Sequence, residues 1–302
     1  MTDPYANHIQ FFRAAWGRTE LWRLALMVIG FEVVFFMGPV IVAGAMPTDT
    51  ARNAYFDGLT PLATLAQFAT FGVTALGFVL LLRVVHDRGF WSLVGAPDRA
   101  IVDLWNVTLG VGAVLLVLEV LPPWIAFSEL AEARNLLGWL LWLPFALVVL
   151  LIQVTTEEIY FRGYLQQQLA CLTNMPVVWM GIPSILFGAA HFYNGYGFAD
   201  GVLWGIWATM LGLACADLTA RTGTLGAAIG LHLANNIFAV LIVGMQNWPS
   251  SGLALFLYPY DDPAQYDWSA ARLAEPAAIL ELVSLTLTVL VMWLAARIAL
   301  RR

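Results

Sequence analysis

The chain contains no lysine, and all fourteen of its basic residues are arginine. That absence excludes Schiff-base chemistry and any Ser-Lys dyad. Cysteine is scarce too. Cys171 and Cys215 lie in apolar stretches without C-x-x-C spacing, so they are expected to be reduced and buried, forming neither a disulfide framework nor a thiolate metal site. Charged residues make up 11% of the chain, against about 25% in a soluble domain, while 61% of residues are hydrophobic. The net charge of −6 comes mostly from acidic loops and suggests no nucleic-acid partner. There is no His-Glu-x-x-His zinc motif, no Gly-x-Ser-Gly nucleophile and no paired intramembrane Asp motif.

What the sequence does have is long apolar runs. Hydropathy predicts about eight spans: 21–46, 61–84, 101–127, 137–155 continuing as helix to about 172, 176–193, 201–218, 225–245 and 277–299. Each is about long enough to cross a core of about 30 Å at 1.5 Å per residue. The fold class is therefore all-α, a polytopic membrane protein in which residues 1–302 make a single integral domain. The numerous Trp and Gly residues suit interfacial anchoring and close helix packing. Ala43-Gly44-Ala45 resembles a leader cleavage site, but the run before it is long and carries Glu32 and Pro39, so it is read as an uncleaved first span. With the N-terminus inside, eleven arginines fall in inner segments and three in outer ones, which puts both termini in the cytoplasm. The Ala/Leu-rich, all-arginine composition suggests a bacterial inner membrane. The long outer loop 246–275, with Asp261, Asp262 and Asp267, is read as a solvated cap.

Ionisable groups within a membrane helix cost roughly 2.5–3.5 kcal/mol each and are functional by default. Glu157, Glu158 and Arg162 cluster on the fourth span. Glu158 and Arg162, four residues apart, share a face and are expected to pair. Glu157 is turned about 100° away and is left available as a base. The turn to the next span falls near Asn174 and Pro176. Glu157 lies seventeen residues before Asn174 and His191 seventeen after it, so a hairpin sets them level. In the seventh span His232 and Asn236 lie one turn apart on one face, which suits a ligand with a hydrogen-bond donor or an oxyanion-stabilising pair. Asp217 and Arg221 are expected to form a structural pair at the inner surface. Glu32, Glu119 and Glu281 are read as buried acids with structural roles. A single intramembrane histidine or asparagine is often no more than interhelical glue, but this set recurs at compatible depths.

Glu157-Glu158-x-x-x-Arg162, Phe187-x-x-x-His191 and His232-x-x-x-Asn236 resemble, in order, the three signature motifs of the CAAX-protease and bacteriocin-processing family of intramembrane proteases. Thr222-Gly223-Thr224-Leu225 is similar as well, and the resemblance covers residues 150–240, the expected catalytic core. It implies a site inside the bilayer, open to the cytoplasm, that takes a peptide or protein substrate from the cytoplasmic side or the membrane. It also implies that Glu157 and His191 activate water, that His232 and Asn236 stabilise the oxyanion, and that Glu158 and Arg162 orient the first carboxylate. Two mechanisms fit equally: Glu157, His191 and His232 as three Zn2+ ligands with an open fourth position, or a metal-free, glutamate-activated water. An ion-coupled transporter using the Glu-His-Arg set as a proton relay, and a non-catalytic bacteriocin-immunity scaffold of the same fold, are the competing readings. No inverted repeat supports the transporter.

Overall fold

The computed structural model describes residues 4–121, 129–259 and 269–301. The far end of the third expected span and the acids Asp261, Asp262 and Asp267 lie outside these residues. The chain is all-α and membrane-spanning in character. A short helix α1 (Ala6–Phe12) leads into α2 (Leu21–Gly44), α3 (Asp49–Asp57), α4 (Pro61–His86), α5 (Trp91–Val94) and α6 (Pro97–Val120). Next come α7 (Leu136–Leu172), α8 (Ile182–His191), α9 (Phe198–Thr222), α10 (Gly226–Asn236) and α11 (Pro276–Ala299). Three strands, β1 (Glu132–Ala133), β2 (Val243–Met245) and β3 (Phe256–Tyr258), pair in the order β1-β3-β2 beside the start of α7.

Local chemistry sets the helix ends. Thr60 caps α4 by accepting from Ala63 N at 3.3 Å, and Pro61 occupies the first turn, where its missing N–H costs nothing. Asn135 caps α7 through Gly138 N at 2.9 Å. At the end of α9, Gly223 takes φ +74°, and a Cβ there would meet Asn7 O at 2.8 Å. The chain then reverses, and Leu225 N donates to Val94 O at 2.9 Å, which fixes where α10 begins.

All eight expected spans exist as helical segments, but among the described residues only six are long and apolar enough to cross a membrane. The two shorter ones carry His191 and His232. α10 is packed inside the bundle, and a helix enclosed by protein need not match the bilayer thickness, since its neighbours rather than lipid surround it. α8 with the π-helical lead-in Val177–Gly181 packs on α9 but leaves Val177, Ile182, Ile185 and Leu186 exposed. Every residue of α10 from Gly226 to Ala234 is buried, whereas α2 and α11 are mostly exposed.

Glycines permit this central packing. α10 lies on α6 with Gly226 so close that a Cβ would stand 1.9 Å from Ala100 O. α8 lies on α9 in the same way, where a Cβ at Gly188 would meet Thr209 Oγ1 at 2.0 Å and Gly205 O at 2.4 Å. The inner ends of α9 and α11 are joined to the N-terminal segment. Asp217 accepts from Arg221 Nε at 2.7 Å, from Tyr5 O–H at 2.8 Å and from Trp293 Nε1 at 2.8 Å, so the expected structural pair is a larger junction. Glu281, also expected to be buried, is half-exposed and pairs with Arg272 at 3.6 Å. Glu32 and Glu119, expected to be buried, are exposed. Cys171 and Cys215 are free thiols.

Gly226→Ala should destabilise the protein by about 1–3 kcal/mol, the usual cost of overpacking, because the obstacle is backbone and cannot swing away. Thermal unfolding in detergent measures this. An unchanged midpoint would show that α10 does not rest on α6 as described.

Candidate active site

α7 is one continuous helix of 37 residues, about 55 Å long, interrupted by a π segment at Phe161–Gln166. Glu157 and Glu158 lie in the last α-helical turn before it, and Arg162 lies inside it. A π turn shifts the face that later residues present, and such segments recur at functional sites. Each of the three motifs lies in or near one: Phe161–Gln166 contains Arg162, Val177–Gly181 precedes α8, and Ile237–Ile242 follows Asn236 directly.

The Glu158 and Arg162 side chains are fully buried, and Arg162 Nη1 donates to Glu158 Oε1 at 3.0 Å, as their spacing predicts. The guanidinium fits because Gly212 of α9 has no side chain; a Cβ there would stand 2.7 Å from Arg162 Nη2. Phe187 supplies an aromatic face 4.6 Å from the guanidinium carbon. Glu158 Oε1 has a second partner, His232 Nδ1, at 2.9 Å. The pair therefore holds His232 rather than Glu157, which the resemblance had it orient. With Nδ1–H donating to a carboxylate, neutral His232 carries its lone pair on Nε2.

His232 Nε2 lies 3.5 Å from Glu157 Oε2, so the two approach without a direct hydrogen bond. Glu157 Oε2 is buried and has no hydrogen-bond partner among the described residues. The expected partner of Glu157 was His191, and the hairpin does bring that ring into the same group. The ring of His191 packs on Phe187 with centroids 4.3 Å apart, and Phe187 meets the His232 ring edge-on at 5.6 Å. Phe187 therefore stands against both imidazoles. His191 Nδ1 bonds to Phe187 O at 2.8 Å, which leaves Nε2 as its unengaged nitrogen.

Asn236 Nδ2 donates to Gln153 Oε1 at 2.8 Å, while Asn236 Oδ1 accepts from Asn235 Nδ2 at 3.1 Å. One Asn236 amide hydrogen remains for another acceptor. Gln153 is absent from the sequence-derived set. Its signal was its position one turn before Glu157, on the same face of α7. Among the described residues no three His, Cys, Asp or Glu side chains gather as a metal-binding group.

The geometry is thus a carboxylate beside an imidazole, backed by an ion pair and flanked by a second imidazole and an amide. The Rce1-like family model, described as type II CAAX prenyl endopeptidase Rce1-like, matches residues 139–238, which span all of these side chains. The uncharacterized protein YyaK of Bacillus subtilis strain 168 is 34% identical over 276 residues, 84% of this chain and 88% of the relative. The chain belongs to the Rce1-like family. Membership supports, at the level of the family, an intramembrane protease of CAAX type. No solved structure matches the chain.

Glu158→Gln should cost about 3–5 kcal/mol of stability, because it strands the Arg162 charge without a counter-ion. Adding Arg162→Met should return much of that loss. Unfolding midpoints of the single and double variants check this, and a Glu158→Gln protein as stable as wild type would remove the pair from its anchoring role.

Proposed function

We propose that this Rce1-like protein is an endopeptidase that hydrolyses a peptide bond near the inner membrane surface with water activated by Glu157. The observation that carries this reading is the unpartnered, buried Glu157 Oε2 facing His232 Nε2 at 3.5 Å. A carboxylate oxygen and an imidazole lone pair this close can both accept from one water lying beside them, and the carboxylate can take its proton. The water oxygen adds to the scissile carbonyl carbon, and its proton passes to Glu157. The remaining Asn236 amide hydrogen donates to the resulting oxyanion. The carbon–nitrogen bond then breaks, and the proton held by Glu157 goes to the leaving amine, with His191 at the edge of the group to relay it. Glu158 and Arg162 act behind His232 and hold its tautomer, a role that needs both groups to stay charged and buried.

Depth supports the substrate side. His232 lies about 9 Å along α10 from its start at Gly226, and the Asp217–Arg221 junction marks the same end. On the positive-inside reading that end is cytoplasmic, so the substrate is a peptide or protein segment, prenylated or not, presented from the cytoplasm or the adjoining leaflet. The mechanism needs no metal, and none is assigned a step. The transporter and immunity-scaffold readings gain no support from the family match.

Glu157→Gln should keep the fold and lower cleavage of a reporter peptide by about 10²–10⁴-fold, the range for removing a general base. Wild-type activity should persist after exhaustive chelation. Zinc that co-purifies and is lost in both His191→Ala and His232→Ala would overturn the metal-free step. Full activity in Glu157→Gln would overturn the assignment of the base.

Gln153→Ala should lower kcat about tenfold with little change in KM, since Gln153 positions Asn236 rather than touching substrate. A rise in KM alone would instead make Gln153 part of the binding surface.

A further inference from the structure

A second concentration of polar groups lies below the active site, at the rim where α4 ends. A cavity of about 380 Å³ opens there between the segment 14–18 and residues 86–88. Arg18, His86, Asp87 and Arg88 line it, with the backbone of Gly17. Arg88 is set into its wall and is 7% exposed, and among the described residues it has no carboxylate partner. Its Nε donates to Ser92 Oγ and its Nη2 to Ser92 O, both at 3.2 Å, and Nη2 also donates to Gln167 Oε1, all neutral acceptors. Arg88 Nη1 is buried without any partner among the described residues. His86, 2% exposed, accepts or donates at Nε2 to the Tyr164 hydroxyl at 2.9 Å, and its Nδ1 is also buried and unpartnered.

The charges nearby do not cancel this arginine. Asp87, the acid in the lining, is held by Arg83 at 3.1 Å and lies 3.8 Å from Arg18. Glu20 is taken by Arg23 at 3.0 Å. A buried cation with only neutral partners is costly unless an anion completes it, and in a low-dielectric wall its field reaches a neighbouring cavity almost unscreened. Burial alone draws the Arg88 guanidinium down to about 10. The surroundings mark the depth of a lipid headgroup. Trp16, Trp22 and Trp91 are exposed around this rim, as aromatic side chains are at a membrane–water interface.

We infer that this cavity binds a phosphate group, with Arg88 and Arg18 as its cations and His86 as a hydrogen-bond partner. The group comes either from the headgroup of an anionic phospholipid or from free phosphate. The inference does not rest on the proteolytic reading, since none of its residues belongs to the active site.

The test offers full-length protein, in one micelle preparation, equal amounts of phosphatidylglycerol and a phosphate-free glycosyl diacylglycerol, and counts retained lipid by native mass spectrometry. A parallel arm measures thermal unfolding with inorganic phosphate at matched ionic strength. Wild type should retain phosphatidylglycerol preferentially. Arg88→Gln should lose that preference at least tenfold, exposed Arg18→Gln several-fold, and Arg88→Lys should keep most of it. Should Arg88→Gln fail to fold, Arg18→Gln and the wild-type preference still decide. Stabilisation of wild type by inorganic phosphate alone, lost in Arg18→Gln, would support the site with free phosphate as its source. No lipid preference and no phosphate effect in wild type would overturn it, as would a preference undiminished in both Arg→Gln variants.

Discussion

The buried contact of Glu158 with Arg162 and His232 is the constraint on which the rest of the site depends. One carboxylate oxygen serves two donors, Arg162 Nη1 at 3.0 Å and His232 Nδ1 at 2.9 Å. Two helices far apart in sequence are thereby fixed in depth and rotation relative to each other. The arginine needs space, which Gly212 provides on α9, and a face, which Phe187 provides on α8. Four helices therefore converge on one charge pair. In a medium that solvates neither partner, a misplaced helix leaves a bare charge, so the arrangement specifies position sharply.

Much of this was legible in the sequence, and the divisions are physical. The Glu158–Arg162 pair follows from an i, i+4 spacing that any helix enforces. The hairpin that brings His191 toward Glu157 follows from Pro176 and equal arm lengths. The contact between His232 and Glu158 was not legible, because it depends on which faces of α7 and α10 meet. That choice is made by how α10 is seated, with Gly226 against the backbone of Ala100 on α6, and no spacing within α7 or α10 reports it. Gln153 was missed because glutamine near membrane depth carries no charge to draw attention, although its spacing from Glu157 was visible.

The other two histidines show the complementary limit. His8 and His86 lie outside or at the edge of the apolar runs, so sequence gives no reason to expect them buried. The structure buries both, His8 against Trp179 and Gln166 and His86 against Tyr164. The N-terminal segment folds back over the inner ends of α7 and α9, closing the bundle on that side. Glu32 and Glu119 erred in the opposite direction. Apolar context suggested burial, yet both are exposed.

The glycine seam between α8 and α9 has a further consequence for traffic. Gly188 and Gly205 bring the two backbones into contact, with the Thr209 hydroxyl beside them donating to Gly205 O at 2.8 Å. Side chains can fold aside to let a guest pass, but main chain cannot. Opening this seam would mean separating the whole of α8 from α9 and disturbing the floor under Phe187. This edge of the bundle is therefore a closed joint, and any opening toward the lipid has to lie between other helices.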